Sequence, residues 1–566
     1  MYGLRMRGRS LSLGLLLFGL ACGAPREQTL PSTSETGDSA SKARDGWRAF
    51  VGPRFIASAD DPRDYEAVVV DERGRIVSLH ETRANLPPVR VIELDGALAL
   101  PGLHDAHLHI AGIGRRAREV DLRGVRSVDE LRERVRRHRA LHPEGSAITG
   151  RGFDQSLFPG GLYPTAADLD DLADVPIVLR RVDGHAALVD RATLARAGVT
   201  RETRDPEGGR IVRDDAGEPT GVLIDHAMAL VDPIMPVPTL DERVGDLLRG
   251  LEACADAGLT SVHDMGMSPG DYISLATEAL RAKLPVRVYV YLDGADPKSL
   301  TLLDKGKRDY PRVSLRGIKI YADGAMGSRG ALLHDDYSDA PGHKGLALTD
   351  EKTLTELVRH MKTQHAQVAI HAIGDAAVTR AIDAIVAVDA SGRARHRIEH
   401  AQLVVAPDVE RMARAGIVAS MQPVHATSDM HWILDRVGPE RARLAYAWRT
   451  MRTQGVPLAF GSDAPVESER VTLSFFAALT RRPPVDGDAP ALFPEERLFF
   501  AEALDAFTRG AAFAVHDDDA IGVLAPGHAF DVTLLDADPR AEPARWRTVR
   551  PVATIVEGQL RAVRTP

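Results

Sequence analysis

Between residues 98 and 463 the chain alternates eight short apolar runs with amphipathic helical segments, and seven of those runs lead into a polar or titratable side chain. The runs are 98–109, 259–264, 286–291, 315–321, 368–371, 397–400, 417–421 and 457–463. A strand covered on both faces reads as a continuous apolar run, and strand–helix alternation is the pattern of parallel βα units. Eight such units predict an α/β fold closed as a (β/α)8 TIM barrel, whose chemistry sits at the C-terminal strand ends. Polar residues fall at those ends: His109, His263, Asp264, Asp323, His371, His400, Gln422 and Asp463. An open doubly wound sheet has no need of titratable groups at so many strand ends, so the barrel is the preferred reading.

The two chain ends carry matching β-rich blocks. One comprises 67–70, a turn at 71–74 and 75–79; the other comprises 531–536, 553–556 and 558–560. Neither block can cover both faces of a sheet by itself. The economical arrangement is a small composite β-sandwich from 47–97 and 521–566, enclosing a barrel domain over 98–520. A chain of 566 residues is long enough for both. The stretch at about 112–246 is too long for a loop and reads as an insertion over the barrel mouth. Its basic helix, 128–139, presents arginines on what the pattern makes a solvated face.

Residues 1–22 read as an export signal rather than as fold. Arg5, Arg7 and Arg9 precede an apolar stretch, 11–20, that is too short to span a bilayer. Gly19-Leu20-Ala21-Cys22-Gly23 resembles a bacterial lipobox, although its leucine stands two residues before the cysteine where three is usual. The expectation is a lipoprotein anchored at Cys22 on the periplasmic or cell-surface side, with plain secretion the alternative. Residues 23–46 form a polar tether. Only two cysteines are present, so lipidation of Cys22 leaves Cys254 without a disulfide partner. A net charge of −9 gives no reason to expect nucleic-acid binding, and membrane contact is expected only through the lipid.

Chemistry concentrates at the strand ends. His107 and His109 are spaced i and i+2, so on a strand both imidazoles face one side and can reach one ion. Lys319 lies inside an apolar run, where an ammonium must be paired, neutral or chemically altered. His371, His400 and Asp463 end three further runs. Each has an ordinary structural reading when taken singly. Together, on barrel strands one, four, five, six and eight, they point to a metal centre. Zinc suits His-rich ligation, and iron, manganese or nickel also fit.

With these residues in place, the chain is similar to the amidohydrolase superfamily, and within it to the amidohydrolase 3 branch of YtcJ-like and N-substituted formamide deformylase-like proteins. The likeness rests on Arg151-Gly152-Phe153-Asp154-Gln155, Pro164-Thr165-Ala166-Ala167-Asp168, Arg181-Val182-Asp183-Gly184-His185-Ala186 and Gly221-Val222-Leu223. It rests also on Asp323-Gly324-Ala325-Met326-Gly327-Ser328-Arg329 and Pro526-Gly527-His528-Ala529-Phe530-Asp531. The resemblance implies one or two divalent metals, most simply zinc, held by His107, His109, Lys319, His371, His400 and Asp463. It implies that Lys319 is carboxylated and bridges the metals when two are bound.

It further implies hydrolysis of a small molecule at a non-peptide, amide-type C–N bond by metal-activated water, with Asp463 as general base and then acid. His185, Asp323, Arg329 and Arg151 are the candidates for contacting substrate. Alternatives are that His185 serves a local turn and that Arg329 pairs with Asp323. Other electrophiles, such as an ester, lactone or carbamate, are the alternative reaction. A non-catalytic lipid-anchored binding protein is disfavoured, because none of the six ligand positions is missing. Redox chemistry is disfavoured by the lack of a nucleotide fingerprint or cysteine cluster.

Overall fold

The computed structural model describes residues 46–143, 145–485 and 489–563. The expected export signal, Cys22 and nearly all of the tether lie outside the described residues. No helix among the described residues is long and apolar enough to cross a membrane.

Eight parallel strands follow one another around a sheet in chain order: Leu103–Leu108, Leu259–Met267, Arg287–Asp293, Val313–Tyr321, Gln367–Ala372, Arg397–His400, Val418–Met421 and Leu458–Phe460. The first and last meet through a parallel bridge between Leu108 and Ala464. Asp463 N donates to His107 O at 2.7 Å, and His109 N to Ala464 O at 2.8 Å. This seam brings Asp463 beside the two histidines of the first strand. Arg397–His400 and Val418–Met421 are buried at every position, as strands covered on both faces must be. Capped helices return between strands; Leu240–Asp256, for example, begins with a reciprocal Thr239–Glu242 capping box. That helix crosses Ile110–Arg115 with backbones in contact. A Cβ on Gly250 would stand 2.2 Å from Ile110 O, and one on Gly114 would stand 1.8 Å from Asp246 O.

Leu98–Pro101 is a correction to the expected first barrel strand. It pairs with Arg48–Ser58 and, antiparallel, with Val532–Leu535, so it belongs to the terminal sheet and the barrel begins at Leu103. The apolar run hides this boundary because both sheets demand apolar residues. Pro101 and Gly102 make the break: Gly102 N donates to Asp531 O at 2.8 Å, and a Cβ there would stand 2.3 Å from Thr260 Oγ1. The terminal sheet does draw strands from both chain ends. Its eight strands share one hydrogen-bonded network. Phe50, Phe55, Val68, Phe530 and Ile555 form its own apolar core.

The insertion is a six-stranded sheet spanning Val120 to Asp225, with apolar clusters that include Phe153, Leu179 and Leu188 in one and Val178, Val189 and Leu223 in another. It ends before the expected residue 246, because Leu240–Asp256 is already a barrel helix. Val128–Leu141 buries Leu131 and Val135, and its Arg132, Arg134 and Arg139 pair with Asp171, Glu130 and Asp174. The arginine run is a solvated, ion-paired face, as its spacing predicts.

Candidate active site

Asp105 locks the seam of the barrel. Its Oδ1 accepts from the backbone N–H groups of His107 and Ser462, both at 3.0 Å, and its Oδ2 accepts from Ser462 Oγ at 2.5 Å. Only glycine fits at 461, where a Cβ would stand 2.5 Å from His107 N. Asp463 (φ +60°) and His400 (φ +73°) both adopt left-handed backbone, which non-glycine residues hold only where the surroundings enforce it. Strand-end geometry thus aims these side chains inward at a cost met by the packed barrel.

Two buried hydrogen bonds settle the imidazole tautomers. His107 Nδ1 donates to Glu399 Oε2 at 2.7 Å, and His400 Nδ1 donates to Gln422 Oε1 at 2.8 Å. Each ring therefore turns an Nε2 lone pair toward the centre. Glu399 is fixed in turn by Arg397, which donates to both of its oxygens (2.8 and 3.1 Å) and also to Ala106 O and Ser420 Oγ. His107 Nε2 then faces Asp463 Oδ1 at 3.5 Å and Lys319 Nζ at 3.4 Å. A lone pair facing a carboxylate oxygen is an arrangement that a cation satisfies, so these residues fit a divalent metal. The ligand atoms of His107, His109 and Asp463 lie within 4.8 Å of one another, as do those of His400, His425 and Asp463.

Protonation states agree with that fit. Burial, reinforced by Lys319, lowers His107 to about 4. Burial holds His371 and His400 well below the ordinary imidazole value, with His400 adding to the effect on His371 and His107 to that on His400. Burial pushes the Asp463 carboxyl upward, but His107, His109 and His400 outweigh it and hold the group ionised. Burial lowers Lys319 to about 8 against the pull of Glu399 and Asp463. At neutral pH His107, His371 and His400 are therefore uncharged and Asp463 is ionised, as metal ligands must be.

The six expected ligand positions come together around one centre, with the His371 ring 4.6 Å from that of His400. His371 Nε2 stands 3.4 Å from Gly324 O. The remaining candidates divide. His185 sits in the turn after Ile177–Arg181, its ring 5.9 Å from that of His371, and its Nδ1 donates to Asp225 Oδ1 at 2.7 Å. Asp225 holds φ +48°, ψ −124°, a sparsely populated conformation. His185 and Arg151 line a cavity of about 1260 Å³ between the barrel mouth and the inserted sheet, together with the strand-end cluster.

Asp323 and Arg329 do not line it. Asp323 is fully buried and accepts from the backbone N–H groups of Leu332, Ile373 and Gly374. Arg329 pairs with Asp339 at 2.9 Å, and not with Asp323 as the alternative had it. Asp323 Oδ1 also stands 3.6 Å from His371 Nε2, so Asp323 sits behind the cluster while Arg329 is spent on the loop, and their closeness in sequence to the lysine strand carried no information on direction. The sequence marks Gln422 only as a polar strand end and does not single out Glu399, Asp225 or His425. Glu399 could have been suspected, since a carboxylate inside an apolar strand needs a partner.

Comparison with known proteins follows the same lines. The Amidohydrolase family model (Amidohydro_3) matches residues 90–562. YtcJ of Bacillus subtilis (strain 168) is 33% identical over 483 residues, covering 84% of this chain and 90% of that protein. N-substituted formamide deformylase of Arthrobacter pascens is 27% identical over 510 residues, covering 85% and 91%. The crystal structure of a metal-dependent hydrolase from Pyrococcus furiosus superposes with a TM-score of 0.69 at 29% identity, covering 87% of this chain and 100% of that one. A match that runs through barrel, insertion and much of the terminal sheet, over a strand-end cluster built to take a metal, makes this chain a member of the amidohydrolase family, in its amidohydrolase 3 branch, and a metal-dependent hydrolase.

Proposed function

We propose that the protein hydrolyses a non-peptide C–N bond in a small amide- or formamide-type molecule. The observation that carries this reading is Asp463, ionised beside the uncharged rings of His107 and His400 at the barrel seam and open to the cavity. His107, His109, Lys319, His371, His400 and Asp463 would hold the metal, with His425 as a further donor and zinc as the ion best suited to them. When bound, such a metal supplies an acidified water as nucleophile and polarises the substrate carbonyl.

The chain's own groups complete the reaction. Asp463 takes the proton of the attacking water and delivers it to the leaving nitrogen, acting as base and then acid. His185, oriented through Nδ1 by Asp225, donates from Nε2 to the carbonyl oxygen as that atom gains charge. Lys319, buried and with a lowered pKa, is suited to carboxylation by carbon dioxide. The name of the Arthrobacter pascens relative, which refers to N-substituted formamides, supports the choice of bond.

The test pairs elemental analysis of the purified protein with hydrolysis of N-formyl and N-acyl amines by wild type and Asp463→Asn. The expected result is bound divalent metal, turnover by wild type, and a loss of about 10²–10⁴-fold in the variant. Undiminished hydrolysis by Asp463→Asn would remove the assigned role. Esters cleaved with amides left intact would replace the proposed bond.

A further inference from the structure

The inserted sheet treats its arginines in two ways. Arg181, on the strand Ile177–Arg181, is nearly fully enclosed and fully partnered. It pairs with Asp154 at 2.8 Å and Asp183 at 2.5 Å, and its Nε donates to Gln155 Oε1 at 2.6 Å. Arg151, on the adjacent strand Ile148–Phe153, has no such company. Its single hydrogen bond is a long one from Nη2 to Val182 O, at 3.4 Å, and its enclosed Nε has no partner. It forms no ion pair with any described residue, although it lines the same cavity as the metal-ligand cluster.

Arg151 is half-buried with its Nε fully enclosed, and a guanidinium in that position gains from a counter-charge that the fold around it does not provide. The backbone around Arg151 keeps room for it. Gly184 stands over the guanidinium at φ +77°, and a Cβ there would come 3.0 Å from Nη2. Burial depresses the Arg151 pKa, and the strongest opposite charge it feels is that of Asp463, across the cavity. Asp463 is already engaged with His107 and His109. The missing partner of Arg151 is therefore not supplied by the described residues, and the cavity is the place from which one can arrive.

We propose that the substrate carries a carboxylate, which Arg151 receives on the insertion wall while the scissile bond lies against the strand-end cluster. This rests on the C–N hydrolase reading above and adds a substrate class to it: N-formyl or N-acyl amines bearing an acid. A guanidinium fork matches the two oxygens of one carboxylate. Met228, Met326 and Trp432 also line the cavity and offer apolar surface for the body of such a molecule.

The experiment compares a panel of N-formyl and N-acetyl amino acids, each paired with the same N-acyl amine lacking the carboxylate, on full-length metal-loaded protein. Wild type should favour the acids in kcat/KM. Arg151→Met, which keeps the apolar stem, should lower the acid-to-neutral ratio by about 10- to 100-fold, the worth of a charge-assisted hydrogen bond. Arg151→Lys should restore part of it. Arg151→Gln, metal content and melting curves guard against a folding defect.

Equal use of acid and neutral partners by wild type, or an unchanged ratio in Arg151→Met, would overturn the proposal. If no C–N bond in the panel is cleaved, the hydrolase reading fails and binding decides this one separately. Calorimetric Kd values for the same acids are then compared between wild type and Arg151→Met, with and without chelator to remove direct ligation by the metal. A Kd weakened by the same factor supports the carboxylate subsite; equal Kd values, or no binding, exclude it.

Discussion

Glu399 ranks with the metal ligands themselves although it faces away from the cavity. It accepts a hydrogen bond from His107 Nδ1–H and neutralises Arg397, and all three side chains are fully enclosed. Partners of this kind typically set metal affinity within 10–100-fold. Glu399→Gln should therefore weaken metal binding by about that factor in a chelator titration. It should also cost about 3–5 kcal/mol in denaturant unfolding, because Arg397 is left as an uncompensated buried charge. Unchanged affinity would show that the His107 tautomer is held by something else. Acid should act on the same cluster. His107 falls from an ordinary 6.5 to about 4 on folding, and His371 and His400 are lowered as well. Depressed values mean that the unfolded chain binds protons first. The stabilisation is complete above about 6.5 and is lost as pH falls through that value toward 4. Buried Asp105 and Asp323, raised to about 7, titrate with the opposite sign. The metal-free wild type is therefore compared with His107→Gln: wild type should lose more melting temperature across that interval, and equal losses would contradict the assignment.

At the scale of the element, two glycines of one helix make opposite predictions. In Leu240–Asp256, Gly250 meets the backbone of Ile110, whereas a Cβ on Gly245 would meet only the far end of the Arg249 side chain, at 3.0 Å. Gly250→Ala must push away the helix that follows His109. It should cost about 1–3 kcal/mol or more and weaken metal binding with it. Gly245→Ala should be neutral or stabilise by up to about 1 kcal/mol, the gain in helix propensity. Thermal unfolding of the pair checks this directly; equal effects would mean the close crossing is not maintained in solution. The barrel strands were legible as elements because burial on both faces leaves an unmixed apolar run. Their limits were not. Leu98–Pro101 has the same character as the strand after it, and only its partners, Arg48–Ser58 and Val532–Leu535, place it in another sheet.

At the scale of the molecule, the terminal sheet is tied to the barrel through more than one chain crossing. Arg287, on a barrel strand, donates to Asp531 at 2.9 Å and to Glu557 at 3.0 Å, and Arg312 reaches Glu557 as well. Thr533 Oγ1 accepts from Leu103 N and donates to Gly258 O. The sheet and barrel should accordingly unfold as one cooperative unit. Hydrogen exchange should give matched protection for Val532–Leu535 and Leu259–Met267, and early loss of the former alone would separate them.

The sequence by itself pointed to the barrel, to a joint β-rich unit drawn from both chain ends and to the residues that meet at the barrel mouth. Those follow from local rules: apolar runs of strand length, two-residue alternation, and ligand-type side chains at strand ends. Only the tertiary structure decided direction and company. Asp323 and Arg329 sit in the same string of residues that resembles the family, yet one is consumed by backbone N–H groups and the other by Asp339. Arg151 and Arg181 stand on adjacent strands, and one is paired while the other is left to the cavity. Which charges find partners is set by elements far apart in the chain meeting in space, and local pattern does not encode that.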